Sequence, residues 1–154
     1  MSETIEKRLS DMGVTLPVAA APAANYVPYV RAGNLLFPSG QLPIKDGKLA
    51  FTGLLGRDVD TATGKEAAKY CAINILAQAK AALDDLEKIR RLVKINIYVA
   101  STPDFTEQHL VGNGASDFLA EVLGERGKHA RVAVGMASLP LNASVEIESV
   151  FEVE

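Results

Sequence analysis

Arg131 is the residue whose type and setting first suggest chemistry, because it stands near the start of an alternating apolar run, Ala130-Arg131-Val132-Ala133-Val134-Gly135-Met136. A guanidinium cannot shed its charge and needs several acceptors wherever it is partly buried. Arg131 is therefore an ion-pair partner or a ligand anchor. The other reactive side chains offer less. Cys71 falls on the apolar stripe of a helical pattern and reads as core rather than as a nucleophile. His109 and His129 have no companion at metal-ligand spacing and read as surface residues, so no metal is expected. Glu146, taken alone, is a solvated strand carboxylate or the counter-ion of Arg131.

An arginine of that kind needs a scaffold to hold it. The 154 residues, 48% apolar and 23% charged, suffice for a real core and predict a single domain over 1–154, with 1–25 forming an amino-terminal helix and an extended connector. A net charge of −3 repels phosphate backbones, so nucleic acid is not an expected partner. One cysteine, no basic-then-apolar leader and no apolar run of spanning length predict a cytoplasmic setting without a membrane partner.

Residues 2–11 predict a short peripheral helix capped by Ser2 and stopped by Gly13, and the prolines of 16–25 predict an irregular connector. Two β-prone runs, 26–31 and 35–39, flank Ala32-Gly33-Asn34 and predict a hairpin that exits through Ser39-Gly40. Lys45-Asp46-Gly47-Lys48 is a turn. From 63 to 88, Ala68, Cys71, Ala72, Ile75, Ala79, Leu83 and Leu86 recur at helical spacing, with Thr63 and Glu66 placed as a capping box. Residues 90–101 alternate as a strand, and Ala115, Phe118, Leu119, Val122 and Leu123 mark a second helix, ended by Gly124, with Asn113 at or just before its main body. The Arg131 run and a last strand over 144–153 follow. That last strand sends Val145, Ile147, Phe151 and Val153 to one face and Glu146 and Glu148 to the other. This order predicts an α+β fold, two helices packed on one face of a mixed sheet. The second face is expected to carry Ala133, Gly135 and Val150 among polar groups. Such a half-apolar face meets a second copy, which predicts a closed homo-oligomer with sites at subunit junctions.

Pro28-Tyr29-Val30, Ser39-Gly40-Gln41-Leu42-Pro43, Ala130-Arg131-Val132-Ala133-Val134, Leu139-Pro140 and Val145-Glu146-Ile147-Glu148, in that order, resemble the signature of the Rid family, the reactive intermediate deaminases also called YjgF or L-PSP proteins. The resemblance runs over residues 26–153. It implies a chorismate-mutase-like fold assembled as a homotrimer, its sheets forming a central barrel with a ligand cleft at each subunit interface. It also implies hydrolysis of enamines and imines such as 2-aminoacrylate and 2-iminopropanoate to a 2-oxo acid and ammonia, with no cofactor and a small carboxylate as substrate.

Carried over residue by residue, the resemblance makes Arg131 the grip on the substrate carboxylate and Glu146 the group that positions or activates water. A carboxylate suits that role, since it can accept a proton from water and return one to departing ammonia. Tyr29, Ser39 and Gly40 are expected to line the cleft, and Asn113 to reach it from a neighbouring subunit. Ala133 stands where many members have cysteine, and Gly135 where a larger side chain is common; together they are expected to set which substrate fits beside Arg131. Val27 before Pro28, Arg31 and the amino-terminal helix mark a divergent branch. Two other functions stay open. A regulatory trimer that binds 2-oxo acids without turnover needs only Arg131. RNA cleavage is disfavoured by the acidic balance and by the lack of paired histidines or an aromatic and basic surface.

Overall fold

The described residues, 3–21 and 24–154 of a computed structural model, form three α-helices and seven strands: α1 (Ile5–Asp11), β1 (Tyr29–Ala32), β2 (Leu35–Pro38), β3 (Ile44–Lys45), β4 (Lys48–Leu49), α2 (Thr61–Leu83), β5 (Ile89–Ala100), α3 (Gln108–Leu123), β6 (Ala130–Met136) and β7 (Val145–Val153). The expected α+β layering is present. Five strands make one sheet in the order β1-β2-β7-β5-β6, while β3 and β4 form a separate small hairpin. The β5–β6 pair is parallel and the other pairings of the large sheet are antiparallel, so the sheet is mixed. No helix among the described residues is long and apolar enough to cross a membrane.

Alanine's high helix propensity and small size account for α2. Ala68, Cys71, Ala72, Ile75 and Ala79 are fully buried along it, which lets the helix lie close to the sheet. Its start differs from expectation: Asp60, not Thr63, is the cap, its carboxylate accepting from the Thr63 amide at 2.8 Å. A carboxylate both satisfies the amide and meets the positive end of the helix dipole. Its end is also earlier, at Leu83, because Asp84 turns to φ 63° and Asp85 caps a separate 3-10 turn over Leu86–Lys88.

The amino-terminal helix is not peripheral. Ile5 and Leu9 are 0% and 2% exposed, Glu87 accepts the Ile5 amide at 2.7 Å, and Arg8 donates to the Val122 carbonyl at 3.2 Å. Thr4 is the cap, accepting from the Lys7 amide; the expected cap, Ser2, lies outside the described residues, as do Pro22 and Ala23 of the connector.

Strand register settles which face each candidate residue takes. The parallel pairing sets Arg131 beside Ile95, Ala133 beside Ile97 and Gly135 beside Val99, and those three β5 side chains point into the core under the helices. Arg131, Ala133 and Gly135 therefore lie on the helix-covered face. This corrects the expectation that Ala133 and Gly135 belong to the second face. Alternation groups residues by face, but the face itself is decided by the neighbouring strand. The second, open face carries Glu146 opposite Tyr98 and Glu148 opposite Asn96, with Val132, Val134 and Val150 in adjoining rows.

Candidate active site

Arg131 projects from the edge strand β6 onto α3. Its Nη1 donates to Ser116 Oγ at 3.1 Å and its Nη2 to the His109 carbonyl at 2.9 Å. The guanidinium rests over Gly112, where an added Cβ would lie 2.8 Å from Ile97 Cδ1 and 3.2 Å from Nη1 and so would crowd both. A guanidinium has five N–H donors, and two are used here, leaving three. Arg131 belongs to none of the ion pairs among the described residues, so no carboxylate among them answers its charge.

Glu146 lies on β7, two strands away and on the opposite face. It is packed against Gly40, where an added Cβ would lie 2.5 Å from Oε2. The exit of β2 is pinned there by the Gln41 amide donating to the Ile147 carbonyl at 2.8 Å and the reciprocal bond at 3.0 Å. Burial, and then the charge of Glu148, push the Glu146 carboxyl above its ordinary range. Glu148 is held differently: the Tyr98 hydroxyl donates to it at 2.5 Å and the Asn96 amide at 3.0 Å. That bond to Glu148, with burial, pushes the Tyr98 phenol up to about 12. Two neighbouring carboxylates thus sit in unlike settings, one clamped and one free to exchange a proton.

The other expected site residues divide between the faces. Gly40 and Glu146 are brought together, with Ser39 next in the chain donating its hydroxyl to the Val27 carbonyl at 2.8 Å. Tyr29 pairs with Pro38 and turns to the helix side, its hydroxyl 3.5 Å from the Ala81 carbonyl. Ala133 is half-buried against the core. Asn113 is inside α3 rather than at its start, and lines an outer groove with Lys65, Lys69 and Asp117 of the two long helices. Beyond Gly135 lies a cavity of about 490 Å³ lined in part by Ser101, Phe105 and Gln108; a larger one of about 650 Å³ lies between the connector and α2, apart from both Arg131 and Glu146. Cys71 is buried in the core, where desolvation pushes its thiol up. Four residues around the site carry no signal of their own in the sequence. Tyr98 and Asn96 were within reach of the alternation that pairs β5 with β7, whereas Ser116 and His129 meet across thirteen positions with no period to reveal it.

The family model described as "YjgF/chorismate_mutase-like, putative endoribonuclease" matches residues 6–152. The chain belongs to this YjgF family. The YjgF match begins inside α1, which places that helix within the family's span. Protein TCP17 of Trypanosoma cruzi is 47% identical over 152 residues, covering 98% of this chain and 95% of that protein. A 2-iminobutanoate/2-iminopropanoate deaminase of Dermatophagoides farinae is 29% identical over 143 residues, covering 92% and 95%. The crystal structure of Atu1372, a protein of unknown function from Agrobacterium tumefaciens, shares 63% identity and a TM-score of 0.92 over 97% of this chain and 92% of that one.

Proposed function

We propose that this chain is a cofactor-independent deaminase that hydrolyses small enamines and imines of the 2-aminoacrylate and 2-iminopropanoate kind to 2-oxo acids and ammonia. The observation that carries the reading is Arg131, a guanidinium held in place by α3 with three donors to spare and no carboxylate paired with it among the described residues. A substrate carboxylate in that fork has its plane fixed, and with it the plane of the adjacent C=N bond. Water adds to the imine carbon as Glu146 accepts one of its protons. The same carboxyl returns that proton to nitrogen, giving a carbinolamine, then takes the new hydroxyl's proton and passes it to nitrogen as the C=O bond forms, the C–N bond breaks and ammonia leaves. A carboxyl raised toward neutrality is suited to both transfers. A YjgF relative named as an imine deaminase supports the reaction class.

Arg131 and Glu146 face opposite ways within one chain, which supports a site completed between copies, in a homotrimer. The test generates 2-iminopropanoate with an amino-acid oxidase and follows its loss. Wild type accelerates the loss, and Glu146→Gln lowers turnover by roughly 10²–10⁴-fold. No acceleration across several imino acids by assembled protein would sink the proposal. A second reading, a 2-oxo acid sensor without turnover, draws on the fact that the Arg131 fork is held by its own chain with no help from Glu146. Pyruvate binding without deamination decides for the sensor.

A further inference from the structure

We infer that Ser116 and His129 are positioning residues for Arg131, forming a one-way hydrogen-bond relay that runs guanidinium to hydroxyl to neutral imidazole to backbone carbonyl. With the ring neutral, the direction of each bond follows from what each atom can do. His129 Nδ1 lies 2.5 Å from the Gly127 carbonyl, which can only accept, so the ring proton is on Nδ1. Arg131 Nη1 has only protons to offer, so Ser116 Oγ accepts from it at 3.1 Å. In the neutral ring Nε2 is then bare, and at 2.9 Å it is placed to accept the hydroxyl proton of Ser116. Each bond of the relay pairs one donor with one acceptor and orients the next.

The consequence falls on the guanidinium. An arginine side chain carries about 2 kcal/mol of rotamer entropy, and ordering it at the moment of binding weakens the ligand by that route. Here α3 orders it beforehand, through Ser116 at one nitrogen and the His109 carbonyl at the other, with Gly112 leaving the space between. The relay therefore acts on substrate capture, not on the chemical step. It rests on reading Arg131 as the carboxylate anchor.

Imidazole ¹⁵N spectra of the labelled full chain test the first half without any turnover: neutral His129 should carry its proton on Nδ1, with Nε2 bare. For the second half, Ser116→Ala is expected to raise KM for 2-iminopropanoate, and the dissociation constant for pyruvate, about tenfold with kcat within about twofold, the loss of one charge-assisted bond. Alanine favours the helix, so folding is not at risk. Ser116→Thr, which keeps the hydroxyl, should restore wild-type KM. A His129 protonated on Nε2, or a KM unmoved by Ser116→Ala, overturns the relay. Arg131→Ala beside them separates the two ideas: strong loss of binding there with no effect of Ser116→Ala sinks the relay alone, whereas no effect of either sinks the anchor as well.

Discussion

At the scale of residues, Glu146 and Glu148 show how two identical side chains two positions apart acquire different properties. Tyr98 and Asn96 both spend their donors on Glu148, and Glu146 is left half-buried beside a glycine with a raised pKa. A carboxyl raised by folding favours the protonated state. Its contribution to stability is complete below the ordinary carboxylate range and is lost as pH rises through the raised value. Glu146→Gln is uncharged at every pH and keeps what the glutamate loses. The variant should melt above wild type at neutral pH and level with it at about pH 3. Thermal unfolding at the two pH values checks this, and an equal gap at both would refute it. The same scale shows what a sequence can and cannot reveal about a site. An arginine in an apolar strand is conspicuous by type alone. Its direction is not, because it depends on Arg131 pairing with Ile95, and that pairing lies between segments far apart in the chain.

Among elements, the contact that brings α2 and α3 together depends on what glycine lacks. A Cβ on Gly114 would lie 2.0 Å from the Lys65 carbonyl oxygen, a backbone atom of the facing helix. Alanine there gains up to about 1 kcal/mol of helix propensity but cannot be accommodated by a rotamer change, and overpacking costs typically 1–3 kcal/mol or more. Gly114→Ala should lose about 2 kcal/mol net, read as a lower urea midpoint at an unchanged slope. The helices themselves were legible, since Ala68, Cys71, Ile75 and Ala79 repeat at a spacing that only a helix can bury on one side. Their ends were less so. Thr63 and Glu66 have the right spacing for a cap, yet Asp60 sits one turn earlier and binds more strongly as an anion. Likewise α1 looked peripheral because two apolar residues in seven give a weak stripe, although both are fully enclosed once Glu87 and Arg8 tie the helix down.

For the whole molecule, the open sheet face is the unfinished part. Val30, Phe37 and Val132 are 52%, 40% and 42% exposed on it, around the ordered Tyr98, Asn96 and Glu148 cluster. An oligomer was expected from the composition of this face, and the residues now assigned to it differ from those first chosen, with Val150 retained and Ala133 and Gly135 moved to the other side. If the proposed trimer closes over this face, sedimentation equilibrium should return three times the 16.4 kDa chain mass. Val132→Glu should then release monomers with little deaminase activity, because a buried charge without a partner costs several kcal/mol. Monomeric wild type with full activity would contradict that. The order of the strands has a separate bearing, on how the protein is made. β7 follows the other described strands in sequence and lies between β2 and β5, so until it is in place the β1–β2 hairpin and the β5–β6 pair have no strand in common. Wherever those two pieces form first, they are half-sheets with bare edges, each able to pair with the wrong neighbour until β7 joins them.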